Sequence, residues 1–261
     1  MGYTLITGAT GGLGRAFCEI CAGQGDPLFL TGRDSGRLSA LADELREKYG
    51  ADVQFKACQL HDEKSREELF GHIREEGVLI SRLINVAGAD IQKGFEEYTQ
   101  EKIVFQSRVN FEAAVSMARF ALERRDGHLE ILSVSSVSGI YPMPYFALYS
   151  ATKKAMEQFF SALHVEMKGK DVNVTTVLPG AMPTRPDVCE QIRGQGLWGK
   201  LAAKSPGYVA EKSLRAVGKN RRKYIPGAAN RLMAVCTSVL PLSLKMKFIA
   251  NRWSKISKDA F

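Results

Sequence analysis

The strongest constraint on the fold of this chain is a regular alternation of short β-prone runs with longer helical stretches. Strands are predicted at residues 3–7, 27–31, 53–57, 83–88, 129–133, 172–178 and 223–226. Helices are predicted at residues 15–22, 35–49, 65–76, 99–125, 149–168 and 205–220. Strands separated in this way by helices form a parallel sheet. Ligands of such sheets bind at the carboxyl ends of the strands, where several turns meet.

The length of 261 residues fits one large domain with a sizeable core and leaves little room for a second. Hydrophobic residues make up 45% and charged residues 25% of the chain, which is typical of globular proteins and excludes long disorder. We expect an α/β fold: a single-domain, Rossmann-type doubly wound parallel sheet with helices on both faces. Residues 1–227 would form its body and residues 228–261 a helical extension of the same domain.

A glycine-rich turn joins the first predicted strand to the first predicted helix. Glycines let the backbone approach a pyrophosphate, and the N–H groups at the start of the following helix attract an anion. We therefore predict that a phosphate-bearing cofactor contacts Gly8, Thr10, Gly12, Leu13 and Gly14. The pattern G-x-G-x-x-G is not matched, because Phe17 stands at its last position. The turn alone therefore also fits a plain connector.

An arginine follows the second predicted strand, where a dinucleotide fold approaches the adenosine ribose. A carboxylate at this point accepts from the 2′-hydroxyl group of NAD, whereas an arginine pairs with the 2′-phosphate of NADP. Gly32 and then Arg33 stand there, and Arg37 lies one helical turn further on. The sequence favours NADP(H) over NAD(H) as cofactor, the alternative being that Arg33 only begins a loop.

A tyrosine and a lysine lie four residues apart, on one face of a predicted helix. The ammonium group of Lys153 can sit beside the phenol of Tyr149 and lower its pKa, which makes tyrosine a usable proton donor near neutrality. The spacing is common and also fits a surface helix. Ser136, thirteen residues before Tyr149, and the glycine turn favour a catalytic interpretation.

Five short motifs in order resemble those of the classical short-chain dehydrogenase/reductase family, from Thr7 to Gly227. The matching segments are Thr7-Gly8-x-x-x-Gly12-x-Gly14, Asn85-x-Ala87-Gly88, Asn110, Ser136 with Tyr149-x-x-x-Lys153, and Pro179-Gly180-x-x-x-Thr184. Two positions depart from the family pattern. Val86 replaces an asparagine, and Gln59 stands where an aspartate near the adenine is usual.

The resemblance implies that residues 1–227 bind NADP and catalyse hydride transfer between its nicotinamide and a carbonyl or alcohol. Tyr149 would donate the proton, and Ser136 would bind the carbonyl oxygen. Lys153 would lower the Tyr149 pKa and bind the nicotinamide ribose. Asn110 would hold a water that links Lys153 to solvent. The other cofactor contacts implied are Asn85, Ala87, Gly88, Pro179, Gly180 and Thr184, besides the glycine turn and Arg33.

Apolar residues around the catalytic stretch predict the chemistry of the substrate. Met143, Tyr145, Met182 and Trp198 would line its pocket, so the expected substrate is an apolar carbonyl or alcohol. The family resemblance implies candidates such as a steroid, a 3-ketoacyl compound or another lipid-like molecule. Trp198 lies in a glycine-hinged segment, residues 194–199, that fits either a lid or an ordinary loop. The sequence predicts no metal site.

The C-terminal segment is strongly basic although the rest of the chain is not. Residues 200–261 hold 14 Lys and Arg against 2 acidic residues, a net charge of +12, whereas residues 1–199 carry 22 against 26, a net charge of −4. Leu242, Met246, Ile249, Trp253 and Ile256 form one helical stripe. The stripe fits packing on the body or on a second subunit, or contact with an anionic membrane. Nucleic acid is disfavoured, because no groove-reading motif is present.

The distribution of cysteines favours a reducing compartment. Five cysteines are scattered through the chain, and Cys18 and Cys21 fall inside the first predicted helix, where buried small residues are expected. We find no signal-like N-terminus and no run of about 18 apolar residues. The expected location is the cytoplasm, with the C-terminal helix as a candidate membrane contact.

Three functions remain open at this point. The first is an NADP-dependent reductase or dehydrogenase. The second is a catalytically silent NADP-binding regulator or scaffold, and the third is an epimerase or dehydratase relative that also uses Y-x-x-x-K. By resemblance, the helices at residues 99–125 and 149–168 would pair subunits in a homodimer or homotetramer.

Overall fold

Seven parallel strands form one sheet in the computed structural model, which describes residues 2–184, 189 and 201–254. The spatial order is β3-β2-β1-β4-β5-β6-β7. The strands are β1 (Tyr3–Thr7), β2 (Leu28–Gly32), β3 (Val53–Ala57), β4 (Ile80–Asn85), β5 (Arg125–Val134), β6 (Val172–Val177) and β7 (Lys223–Tyr224). The order reverses direction beside β1, between β1 and β4, and this is the switch point at which such folds bind their ligands.

Helices cover both faces of the sheet. Those described are α1 (Gly12–Gly23), α2 (Ser35–Tyr49), α3 (Glu63–Glu75), α4 (Gln100–Ser107), α5 (Ala113–Glu123), α6 (Ala147–Glu166), α7 (Pro206–Gly218), α8 (Ala228–Ser238) and α9 (Leu242–Trp253). Successive strand residues point to opposite faces. Leu5 thus joins the core under α3, α5 and α6, and Ile6 joins the core under α1, α2 and α7. The predicted single-domain, doubly wound fold is confirmed.

Local sequence explains where several helices begin. Asp34 caps α2 by accepting from the Arg37 N–H, and Asp62 caps α3 in the same way from the Ser65 N–H. Ser205 caps α7, with Pro206 as its first residue. These residues pre-set the chain direction after each strand end, and so they fix the edge of the sheet at which the predicted site residues lie.

The helix predicted at residues 99–125 is interrupted. Residues Gln100–Ser107 and Ala113–Glu123 are α-helical, but Arg108–Glu112 between them form a π-helical turn. The buried Asn110 lies in this turn and bonds the backbone of Ala89 with its amide. A π-turn inserts one residue into a helix and is frequent at functional sites. Helical periodicity alone contains no signal for such an insertion.

The C-terminal extension forms two helices, α8 and α9, separated by Pro241. Ile249 is 7% exposed and packs with Met143 and Phe146 of the body, and Trp253 joins the same cluster. The predicted stripe therefore faces the body at these two residues, whereas Leu242 at its beginning is exposed. Ile256 lies outside the described residues. Over the described part of the chain, no helix is long and apolar enough to cross a bilayer.

Candidate active site

The glycine turn between β1 and α1 is shaped for close approach of a ligand. Gly8 has a φ of +65°, a conformation that favours glycine. A Cβ on Gly14 would lie 2.1 Å from the carbonyl oxygen of Gly8, so no larger residue fits there. No side chain caps the first turn of α1, and that turn has no acidic residue. The turn therefore offers backbone N–H groups and the positive end of a helix to an anion.

The end of β4 lies directly against this turn. The Thr7 hydroxyl accepts from the N–H groups of Val86 and Ala87, at 3.1 Å and 3.2 Å, and ties the two strand ends together. The Asn85 amide is buried and donates to the Ala114 carbonyl and to Ser133 Oγ. Within the protein, Asn85 therefore positions β4 and β5. Its predicted contact with a cofactor stays a prediction.

Two arginines lie beyond β2, next to the glycine turn. Arg33 is exposed, and the Arg37 guanidinium donates to the Thr10 carbonyl at 3.1 Å. The Ala9 N–H donates to the Thr31 carbonyl, so the turn lies beside the end of β2. The guanidinium groups of the two arginines place positive charge beside the glycine turn, where it would pair with the 2′-phosphate of NADP.

Lys153 is buried within the crevice at the strand ends. Its side chain is 4% exposed, its ammonium group donates to the Val134 carbonyl at 3.0 Å, and it lies 5.6 Å from the ring centre of Tyr149. Burial lowers the pKa of Lys153 to about 8, and the negative charge of Asp90 acts in the opposite direction. The sequence analysis did not single out Asp90, because a carboxylate after a strand has many ordinary roles.

Ser136 is placed by the end of β5. Its Oγ accepts from the Ser138 N–H at 3.0 Å, which leaves the hydroxyl hydrogen to donate. The preceding Ser135 hydroxyl donates to the Lys153 carbonyl at 2.7 Å. This bond holds the end of β5 against α6, the helix that carries Tyr149 and Lys153. Ser136, at the end of β5, is thus brought to the same edge of the sheet as Lys153 on α6.

Asn110 connects the loop after β4 with α6. Its Oδ1 accepts from the Ala89 N–H at 2.7 Å, and its Nδ2 donates to the Ala89 carbonyl and to the Thr152 hydroxyl. Both Asn110 Oδ1 and Lys153 Nζ would lie 3.3 Å from a Cβ on Gly88. The side chain therefore lies in the crevice next to Lys153. Its predicted role in holding a water stays a prediction.

The turn after β6 closes the crevice on its other side. The Pro179 carbonyl accepts from the Val137 N–H, and Thr184 lies against Gly12, with a Cβ on that glycine only 2.9 Å from Thr184 Cγ2. A Cβ on Gly180 would lie 2.8 Å from the side chain of Asn230. The buried Asn230, on α8, donates to the carbonyls of Ala202 and Pro226. The C-terminal extension thus packs against the turn that the resemblance predicts to contact the cofactor.

The predicted substrate residues lie on two segments. Met143 is buried, Met182 is half-buried, and Tyr145 is exposed with a φ of +61°. A left-handed tyrosine costs on the order of 1–3 kcal/mol and is typical of functional sites. Trp198 and the whole of the predicted lid, residues 194–199, lie outside the described residues. The sequence analysis missed Ile249 as a neighbour of Met143, because its stripe only indicated a helix with an apolar face.

The geometry fits a nicotinamide dinucleotide. The glycine turn beside Gly8 leaves room for backbone contact with a pyrophosphate. Arg33 and Arg37 lie where the 2′ position of the adenosine ribose would be. Lys153 lies in the crevice close to Tyr149. A proton donor and buried positive charge then share one edge of the sheet. Among the residues that the structure describes, no group of three or more His, Cys, Asp or Glu side chains could hold a metal ion.

Comparison with known proteins agrees with this geometry. The family model described as short chain dehydrogenase matches residues 3–190. Very-long-chain 3-oxoacyl-CoA reductase from Anas platyrhynchos is 32% identical over 198 residues, which are 70% of this chain but only 60% of the duck protein. Dehydrogenase/reductase SDR family member 7B from Xenopus laevis is 30% identical over 275 residues, 97% of this chain and 82% of the frog protein.

Solved structures show the same architecture. A short-chain dehydrogenase from Sphingobium yanoikuyae in complex with NADPH superposes with a TM-score of 0.75, at 25% identity over 100% of each chain. A 7beta-hydroxysteroid dehydrogenase superposes with a TM-score of 0.85 at 24% identity, over 95% of this chain and 96% of that one. The second likeness bears on the fold alone.

Proposed function

The chain belongs to the short-chain dehydrogenase family, and from this premise we propose that it uses NADPH to reduce the carbonyl group of an apolar, lipid-like substrate. The reverse reaction, alcohol oxidation with NADP⁺, uses the same groups. One observation carries the proposal: the buried Lys153 lies beside Tyr149, in the crevice that begins at the glycine turn. The 3-oxoacyl-CoA reductase among the relatives and the bound NADPH in the Sphingobium structure support the substrate class and the cofactor.

The residues of the crevice have distinct tasks in this reaction. Bound NADPH would supply the hydride. Tyr149 donates its hydroxyl proton to the carbonyl oxygen as negative charge develops there, and Ser136 donates a hydrogen bond to the same oxygen. Lys153 binds the ribose and holds positive charge near the phenol. Asn110 holds the water through which Lys153 and Tyr149 recover a proton.

A panel of ketones and alcohols of increasing apolar size tests the proposal. The oxidation of NADPH and of NADH is followed by nicotinamide absorbance in parallel. Reduction of at least one ketone with NADPH supports the reductase. Binding of NADPH without any turnover would instead favour the silent regulator, and conversion without net cofactor oxidation would favour an epimerase or dehydratase.

Arg33 is expected to select NADPH. We predict that Arg33→Glu lowers kcat/KM for NADPH by about 10- to 100-fold, because one charge-assisted contact with the 2′-phosphate is lost and a repulsive charge is added. The kcat/KM for NADH should change by less than about threefold, since NADH has no 2′-phosphate. Steady-state kinetics with both cofactors measures the ratio.

Lys168→Glu makes the same change of charge at an exposed site beyond α6 and serves as the control. This control separates the loss of a local contact with the 2′-phosphate from a change in the overall electrostatic field of the protein. An equal loss for both cofactors in Arg33→Glu, or the same shift in Lys168→Glu, would contradict the assignment of Arg33.

We also propose that the subunits pair through α4, α5 and α6, as the family resemblance implies. Of these, α5 and α6 pack on the face of the sheet opposite α1, the helix that follows the glycine turn. Sedimentation velocity measures whether the chain forms a dimer or a tetramer.

The C-terminal helices are proposed to contact an anionic membrane. Residues 228–254 contain four basic residues and no acidic residue. The exposed large apolar side chains of this segment are Leu232, Met233, Val235, Val239, Leu240, Leu242, Leu244 and Phe248. Apolar contact with acyl chains and attraction of basic residues by anionic headgroups act together on such a surface. Pairing of two copies through the same patch would instead bring like charges together.

Phe248 gives a test of this contact, because it is 71% exposed. We predict that Phe248→Glu lowers binding to vesicles containing phosphatidylserine by about tenfold or more, since an apolar anchor is replaced by a repelled charge. Co-sedimentation measures the bound fraction. Phe95→Glu, at a residue 59% exposed outside both α4–α6 and the C-terminal helices, is the matched control and should bind as the unaltered chain does. Equal partition of the unaltered chain and Phe248→Glu would refute the membrane contact.

A further inference from the structure

The C-terminal helix α9 meets the body next to the catalytic tyrosine. The cluster it joins consists of apolar and aromatic residues: Met143, Phe146 and Ile249 are buried, and Tyr141, Tyr149 and Trp253 pack around them half-buried. Two members of this cluster belong to α9, about 100 residues after the catalytic helix begins. The extension therefore lies against the segment that leads into Tyr149.

Three aromatic rings form a stack that runs outward from the catalytic phenol. The rings of Phe146 and Tyr149 have centres 4.2 Å apart and planes inclined by 11°. The rings of Phe146 and Trp253 have centres 6.4 Å apart and planes inclined by 23°. Nearly parallel planes give one continuous apolar wall. It begins at the group that would donate the proton and ends on α9.

The two faces of α9 differ in their surroundings. Ile249 is 7% exposed and packs against the body, whereas its neighbour Phe248 is 71% exposed. Trp253 is only half-buried, so part of its surface remains open at the outer end of the aromatic wall. A residue that only anchors a helix contributes the most free energy to stability when its apolar surface is fully buried. A half-buried indole at the end of an aromatic wall has the character of a binding surface.

We propose that Trp253 and Phe146 form an apolar subsite for the part of the substrate that lies away from the reacting carbonyl. This subsite rests on the proposed reductase function and specifies its substrate: a ketone with a ring system or an acyl chain long enough to reach past Phe146. Trp253 makes contact only with the apolar part and acts through binding. A small ketone does not extend as far as Phe146 and Trp253, so these residues do not increase its affinity.

Trp253→Ala tests the subsite when it is assayed with two ketones of equal reactivity and different size. We expect kcat/KM for a two-ring or long-chain ketone to fall by about tenfold or more, while kcat/KM for a short ketone changes by less than about twofold. Trp253→Phe should restore most of the loss. Asn251→Ala, at an exposed position of the same helix, is the control and should leave both values unchanged.

A binding measurement keeps the test independent of turnover. The chain has two tryptophans, so the part of the quenching that Trp253→Phe removes comes from Trp253. With NADP⁺ present, the large ketone should quench the unaltered chain more strongly than Trp253→Phe, and the short ketone should not distinguish them. Absence of quenching, or equal losses for both ketones in Trp253→Ala, overturns the subsite. If quenching is seen but the unaltered chain reduces neither ketone, the subsite stands and the reductase function fails.

Discussion

Replacing Tyr149 by phenylalanine is expected to abolish carbonyl reduction while the protein keeps its fold and its cofactor. The change removes one hydroxyl group and retains the ring that stacks on Phe146 at 4.2 Å, so the packing of the site is preserved. General acid catalysis contributes about 10²- to 10⁴-fold in rate. We expect kcat to fall by a factor of this order, measured as NADPH oxidation at saturating ketone.

The chain itself provides a matched control for this experiment. Tyr208 and Lys212 on α7 repeat the same four-residue spacing, and Lys212 Nζ lies 5.7 Å from the ring centre of Tyr208. Tyr208→Phe should leave kcat unchanged. The affinity for NADPH should change by less than about twofold in both variants, a change no larger than the loss of one weak contact would cause. Fluorescence titration measures this affinity. A kcat of Tyr149→Phe within about tenfold of that of the unaltered chain would remove Tyr149 from the mechanism.

The second large effect is expected at Lys153, where catalysis and stability should change in opposite directions. Lys153→Met removes the positive charge beside Tyr149, and reduction should become undetectable. Burial lowers the pKa of Lys153 from 10.5 to about 8, and each unit corresponds to about 1.4 kcal/mol, so the buried charge costs roughly 3 kcal/mol near neutrality. Loss of the bond to the Val134 carbonyl offsets about 1 kcal/mol. The free energy of unfolding should therefore rise by about 2 kcal/mol.

The difference in unfolding free energy between Lys153→Met and the unaltered chain depends on pH, because folding lowers the pKa of Lys153. The folded pKa of Lys153 lies below its unfolded value, so between about pH 8 and pH 10.5 the unfolded chain binds more protons than the folded one. The cost of the buried charge is fully present below pH 8 and disappears as the pH rises through this window. The stability advantage of Lys153→Met should shrink accordingly. Urea unfolding at several pH values measures it.

Lys212→Met is the control for this measurement, because Lys212 is 29% exposed and pairs with Glu211 at 3.4 Å. Removal of an exposed ion pair typically changes stability by less than about 1 kcal/mol. A stability of Lys153→Met at or below that of the unaltered chain at pH 7 would show that burial does not penalise the Lys153 charge. If the gain in unfolding free energy of Lys153→Met were the same at every pH, the packing of the methionine side chain would explain it, and not the loss of the charge.

Much of the fold was predictable because strands and helices differ in their apolar period. The bounds of β1, α2 and β3 agree with the sequence-based ones at every residue. The interrupted helix around Asn110 was not predictable, because the π-turn depends on bonds to Ala89, twenty-one residues earlier. Local periodicity carries no information about such a partner.

The candidate site was predictable as a set of residues and not as an arrangement. The motifs from Gly8 to Thr184 were identified in order, and the structure brings them to one edge of the sheet. The positions of Asp90 and Asn230 were missed. Each is an ordinary polar residue in its own segment and gains significance only from Lys153 or Gly180, which lie far away in the chain.

The sequence by itself determined the order of strands and helices, the glycine turn and the spacing of Tyr149 and Lys153, because these depend on near neighbours. The spacing alone does not distinguish Tyr149 and Lys153 from Tyr208 and Lys212, which lie at nearly the same distance between ring and ammonium group; Ser136 and the family motifs favoured the first pair. The tertiary structure added the physical difference, since it buries Lys153 beneath strand ends and leaves Lys212 partly exposed beside Glu211. Burial is a property of long-range packing, and it changes the chemistry of a charged group more than any local pattern does.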